Sequence, residues 1–216
     1  MAGTLAMLLM VAGPLCAAPD SVDTGWILSH LARPAPMRTQ FVELRDSKLL
    51  KAPLRIEGEY RRPSEGTLVR EVRVPYAETT TIAAGNVSIA RAGKSPRTFS
   101  LSRVPELAGL QASFGALLSG DRRQLEQHYR VASAGTRQHW TLTLTPKDAA
   151  FAAKVRDIVL HGRGAELRCI ETTPTAGDVQ RTLLAGAARD ADGVATSAGL
   201  AALCRNEGAS IASARR

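Results

Sequence analysis

The stretch LRIEGEYRRPSEGTLVREVRVP, from Leu54 to Pro75, constrains the fold more than any other. In its first half Leu54, Ile56, Gly58 and Tyr60 alternate with Arg55, Glu57, Glu59 and Arg61, the two-residue period of a strand with one buried and one solvated face. Pro63 cannot donate a ladder hydrogen bond, so Arg62-Pro63 marks the end of that strand. Ser64, Glu65 and Gly66 supply a turn, and Leu68, Arg70, Val72 and Val74 carry the return strand. A two-stranded hairpin alone is marginal in water, so later elements must cover its apolar face.

Most of those elements are strands. Ahead of the hairpin, Asp20 to Asp23 offer caps for a helix through Trp26, Ile27, Leu28 and Leu31, which stops before Pro34. Alternation begins at Thr39, with Gln40, Val42 and Leu44 on one side, Phe41 and Glu43 on the other, and a turn near Asp46. Thr79 to Ile82 and Val87 to Arg91 flank Ala84-Gly85-Asn86 as a second hairpin, and Phe99 to Ser102 reads as another strand. In VPELAGLQASFGALLSG the apolar residues Leu107, Leu110, Phe114, Leu117 and Leu118 recur at helical spacing between Pro105 and Gly120. This amphipathic helix either fills ordinary core or covers a space.

A short helix over Arg122 to Gln127 leads into a strand at Tyr129 to Ala132. Trp140, Leu142 and Leu144 then alternate with His139, Thr141, Thr143 and Thr145 up to Pro146. A helical turn in PKDAAFAAK, the hairpin VRDIVLHG to AELRCIETT and a strand over Asp178 to Leu184 follow. Roughly nine to eleven short antiparallel strands with a few helices predict a mainly β, α+β fold: an incomplete, strongly curved antiparallel barrel covered by helices.

A chain of 216 residues is long enough for one domain with a real core, built here from Leu, Val, Ile and Ala because aromatics make up only 4%. The formal charge of +8 is spread singly along alternating strands, as at Arg55, Arg70, Arg73 and Arg91, and so reads as a solvated face with no nucleic-acid partner. Residues 1–18 carry no charge and an apolar run from Leu5 to Val11 before small residues, the pattern of a cleaved secretory signal. Leu15 precedes Cys16 where a lipid-attachment site wants a small residue, which favours a soluble exported protein. Residues 19–185 form the expected domain, and 186–216 an Ala, Gly and Ser-rich tail that is either disordered or partly helical, for example over Thr196 to Cys204. Export permits a disulfide, but Cys169 in a strand and Cys204 in the tail read as two free or buried thiols.

Catalytic and cofactor signatures are missing from the sequence. His30, His128, His139 and His161 have no second ligand at metal spacing, and no Gly-x-Ser-x-Gly elbow, phosphate loop or dinucleotide fingerprint occurs. The glycines of HGRG lack the strand-glycine-helix context of phosphate binding. The expectation is a monomeric binding protein without a cofactor, metal or catalytic residue.

Several marks recur in order along residues 20 to 185: GEYRRP, Pro75 before the next strand, the Ala84-Gly85-Asn86 turn, ELAGL and ALLSGD ahead of YRV, and LTLTPK. In these the chain resembles the LolA-like family, periplasmic carriers of outer-membrane lipoproteins. The resemblance implies a half-barrel whose apolar face, under a helical lid, holds acyl chains received from an inner-membrane donor complex and delivered to an outer-membrane acceptor. It implies cargo contacts at Leu54, Ile56, Tyr60, Leu68 and Val72, under the lid at Leu107, Leu110, Phe114 and Leu118, and from Trp140 and Leu142. By position Arg62, with Pro63, matches the family's arginine that ties barrel to lid and assists transfer; the alternative is a surface arginine at a strand end. The family's aromatic residue just beyond Arg-Pro is replaced here by Ser64, Glu65, Gly66 and Thr67. A sensor or adaptor of periplasmic lipid or peptide on the same fold is the second reading, and a lipid-acting enzyme the third.

Overall fold

The computed structural model of the protein describes residues 21–45, 52–103 and 115–205. The expected signal, the turn near Asp46, and Leu107, Leu110 and Phe114 lie outside the described residues. Helix α1 (Thr24–Leu31) starts where the Asp23 carboxylate accepts the Trp26 N–H at 2.9 Å, and it buries Ile27, Leu28 and Leu31. There follow β1 (Met37–Arg45), β2 (Leu54–Arg62), β3 (Leu68–Val74), β4 (Glu78–Ala83), β5 (Asn86–Arg91) and β6 (Arg97–Ser100), each antiparallel to the one before it. A 3-10 turn, Leu101–Arg103, comes next. Residues 115–119 are helical and end at Gly120, whose φ of +71° suits a residue without a Cβ. Helix α2 (Arg122–His128), capped by Asp121, runs directly into β7 (Tyr129–Gly135).

The second half mirrors the first. Strand β8 (Trp140–Pro146), helix α3 (Ala149–Ala152), β9 (Val155–Arg163), β10 (Glu166–Pro174) and β11 (Gln180–Leu184) form a second antiparallel meander. The two meanders join where β11 pairs with β1, giving one open, strongly curved sheet of eleven strands in the order β6-β5-β4-β3-β2-β1-β11-β10-β9-β8-β7. Between the edge strands β6 and β7 the chain must cross from one rim to the other. Leu101, Ala116, Leu117 and Leu125, described residues of that crossing, are buried with Ile56, Val72 and Leu142 on the concave face.

Alternation divides the central strands between two cores. In β1, Phe41 enters the concave core while Val42 and Leu44 enter a second one on the outer face. That outer core is closed by helices α4 (Ala185–Asp190) and α5 (Ser197–Cys204), which bring Ala187, Ala188, Leu200 and Cys204 against Cys169 and Leu183. Of the two states open to the tail, the described part as far as Arg205 is largely helical. The expectation of two free or buried thiols is corrected: Cys169 and Cys204 form a disulfide closing a separation of 35 residues. Neither partner lies near the other in sequence, and only the fold-back of α4 and α5 over β10 brings them together.

The HGRG glycines find their reason in packing. Trp140 sits directly opposite Gly162, and a Cβ there would lie 1.9 Å from the Trp140 ring. The indole N–H then donates to the Gly164 carbonyl at 2.8 Å. Gly162 is thus the hole that Trp140 fills.

Candidate functional site

A cleft of about 270 Å³ opens at one end of the concave face. It exists because β1 pairs with β11 only at Phe41, Val42 and Glu43, after which β11 ends at Leu184 and turns into α4. Ahead of Phe41, β1 and the start of β10 are left apart. Leu31 of α1 and Leu117 and Leu118 of the crossing helix form one wall, Tyr60 and Leu68 the floor, and Met37, Leu167 and Leu184 the far side. The lining is predominantly apolar, so the cleft gives a hydrocarbon contact without directional bonds.

Arg62 holds the wall to the sheet. The residue is only 6% exposed, its Nη1 donates to the Arg33 carbonyl just past α1 at 2.8 Å, and its Nη2 is ion-paired with Glu65. Glu65 also accepts the Ala35 N–H at 3.2 Å, and the Arg33 N–H donates to the Leu118 carbonyl at 2.9 Å. The end of β2, the end of α1 and the crossing helix are therefore linked through one backbone unit. Pro63, beside this latch, is exposed and ends β2's ladder.

Beneath the apolar surface lies a buried ion pair. Arg70 Nη2 donates to Glu43 Oε2 at 2.9 Å, Thr182 donates to Glu43 Oε1 at 3.1 Å, and the Arg70 guanidinium stacks 4.6 Å from the Phe41 ring centre. Burial pushes the Tyr60 hydroxyl far up from its usual pKa, and the Glu43 charge adds to it, so Tyr60 is a neutral phenol. Burial also opposes the charge on Arg70, but Glu43 and Tyr60 together outweigh it and hold the guanidinium more firmly protonated. Arg70 shares the inward row of Leu68 and Val72, and Glu43 that of Phe41. A charge of each sign in an inward row was the signal for this pair.

The structure brings Tyr60, Leu68 and Leu118 to the cleft. Ile56, Val72, Trp140 and Leu142 are buried in the adjoining core without lining it, and Leu54 packs half-buried beside them. Sequence reasoning missed Leu31, Met37, Leu167 and Leu184 as cleft residues. Each lies at the end of an element, where periodicity places a residue on a face but not at a gap between strands.

On the outer face His161, Glu171 and Cys204 offer ligand atoms within 4.8 Å of one another, but the Cys204 sulfur is bonded to Cys169. Two donors remain, too few for a structural metal site. The His161 Nε2 is buried without a partner, and burial holds this imidazole below its usual pKa. Among the described residues no helix is long and apolar enough to cross a membrane.

Residues 16–208 match the family described as outer membrane lipoprotein carrier protein LolA-like. No curated protein matches the chain. Among solved structures, a LolA superfamily protein from Nitrosomonas europaea is 14% identical over 74% of this chain and 76% of its own, with a TM-score of 0.39. LprF from Mycobacterium bovis is 12% identical over 76% of this chain and 91% of its own, with a TM-score of 0.33.

Proposed function

The chain belongs to the LolA-like family of outer membrane lipoprotein carrier proteins, and from that premise we propose that it is a soluble periplasmic carrier that shelters acyl chains in the concave cleft and delivers them to the outer membrane. The observation that carries this reading is an apolar cleft whose wall is fastened by Arg62 through a few hydrogen bonds. The cargo is the acyl moiety of a lipoprotein or a related lipid. No bond is made or broken in the cycle, in keeping with a family of binding and carrier proteins.

Magnitudes favour a latch that cargo can work. An acyl chain of about sixteen carbons gains on the order of 10 kcal/mol on leaving water, at about 0.8 kcal/mol per methylene. The Arg62 bond to the Arg33 carbonyl contributes about 1.5–3 kcal/mol, and the pair with the exposed Glu65 about 0–1 kcal/mol. Loss of the latch is therefore affordable when a chain enters, and its re-formation assists release. The cleft volume of about 270 Å³ lies just under the range of about 300–1,000 Å³ typical of ligand sites. It receives part of a chain, and the remainder requires the wall to move.

Native mass spectrometry of the protein purified from its own envelope tests this. One acylated molecule per chain is expected. Recovery of lipid-free protein with a partner protein in its place would favour the sensor or adaptor and contradict the carrier.

A further inference from the structure

Two arginines stand at the mouth of the cleft without a counter-charge among the described residues. Arg33 and Arg38 both line it and both are exposed. Arg33 Nη1 donates to the His30 and Ala32 carbonyls at 2.8 Å each, and Nη2 reaches the Ala165 carbonyl at 3.5 Å. Among the described residues these are backbone contacts only. Arg38 has no hydrogen bond or ion pair among them, and across the strand pair it faces Arg61, a like charge.

The nearby carboxylates are already engaged. Glu71 takes Arg61 at 2.8 Å, Glu65 takes Arg62, and Glu166, the one acidic residue lining the cleft, binds Arg168 at 3.3 Å and the Gly186 N–H at 2.6 Å. Elsewhere on the sheet arginines meet glutamates across strands, as in Arg91 with Glu78 and Arg181 with Glu171. At the mouth that pairing lapses beside the apolar lining. A hydrocarbon slot ending in two guanidinium groups that no described carboxylate pairs suits a molecule with an oily chain and a negative end.

We propose that the cleft takes an anionic amphiphile, an acyl chain ending in a carboxylate or phosphate, with Arg33 and Arg38 meeting its head group. This rests on the cleft being an acyl-chain site and adds the charge of the cargo. The head group also relieves the repulsion between Arg38 and Arg61.

Calorimetric titration of the delipidated full-length mature protein with palmitate, neutral monopalmitoylglycerol, acetate and inorganic phosphate tests it. Palmitate is expected to bind about tenfold more tightly than the neutral ester. That preference is expected to shrink to about twofold in Arg33→Gln/Arg38→Gln, and in wild type when salt is raised to about 0.5 M. The ester, which carries no charge, loses less affinity than palmitate in the double variant, and neither chainless anion binds. Arg38→Gln alone, at an exposed position without a partner among the described residues, gives part of the loss in a protein whose circular dichroism matches wild type. Equal affinity for palmitate and the ester overturns the head-group assignment while leaving the acyl cleft standing. Phosphate or acetate binding as tightly as palmitate overturns it as well, making the arginines a free-anion site. Binding of neither long-chain probe overturns the cleft reading and this inference with it.

Discussion

The two faces of the sheet are closed by opposite means. On the outer face α4 and α5 lay small residues, Ala187, Ala188 and Ala191, directly on β1, β10 and β11. The Cys169–Cys204 disulfide, two Arg55 bonds to the carbonyls of Ala191 and Val194, and the Arg168–Asp190 pair at 2.6 Å hold them there. On the concave face the wall formed by α1 and the crossing helix rests on Arg62 and leaves a cleft. Covalent closure with small side chains makes the back the harder face to open, whereas a few hydrogen bonds over a gap hold the front less firmly. A curved sheet needs both if it is to admit a guest without losing its curvature.

The comparison is broken most severely at the floor. Glu43→Leu leaves the Arg70 charge buried without its carboxylate and should cost about 3–5 kcal/mol in urea unfolding. Recovery of most of that loss in Glu43→Leu/Arg70→Met would identify the orphaned charge as its cause. Removing the outer clasp comes next. Cys204→Ala should cost roughly 2–4 kcal/mol, the loop-closure value expected for a bridge of this span, while acyl binding on the other face changes little. An equal loss of binding would show that the two faces are not independent.

Arg62→Leu acts on the front alone. A stability loss of about 1–3 kcal/mol is expected from the unpaired Arg33 carbonyl, since the exposed Glu65 is solvated by water, with release of a bound fluorescent acyl chain altered in stopped-flow measurements. Unchanged release kinetics would remove Arg62 from the cycle. The smallest effect concerns His161 on the back. Its folded pKa is lowered, so the unfolded chain takes up a proton first, and stability should decline as pH falls below about 6.5, the unfolded value. Burial under the tail is the leading cause; Glu171 opposes the shift, and Arg181 and Arg205 reinforce it. Unfolding midpoints of His161→Gln between pH 7 and 5 should show a flatter slope than wild type.

How much of this was legible follows from the range over which each force acts. Strands such as Leu54–Arg62 and Trp140–Pro146 were readable because a half-buried surface imposes its two-residue period locally. The β4–β5 hairpin was readable from Ala84-Gly85-Asn86, where positive φ at Ala84 and Gly85 forms the turn. The tail was not. Helix α5 has little amphipathic pattern of its own and gains its place from Leu200 and Cys204 packing on an outer face already built. The cleft was half visible: Tyr60, Leu68 and Leu118 follow from periodicity. Leu31, Met37, Leu167 and Leu184 meet them only because β11 ends early, a property of the whole sheet's register.

Titration of the delipidated protein with a fluorescent fatty acid, run beside Leu118→Arg, tests the central claim most directly. A cleft that accepts acyl chains gives saturation at one site per chain, with affinity lost when an arginine projects from the half-buried wall position. Absence of uptake by folded wild-type protein, or uptake that Leu118→Arg leaves intact, would contradict it.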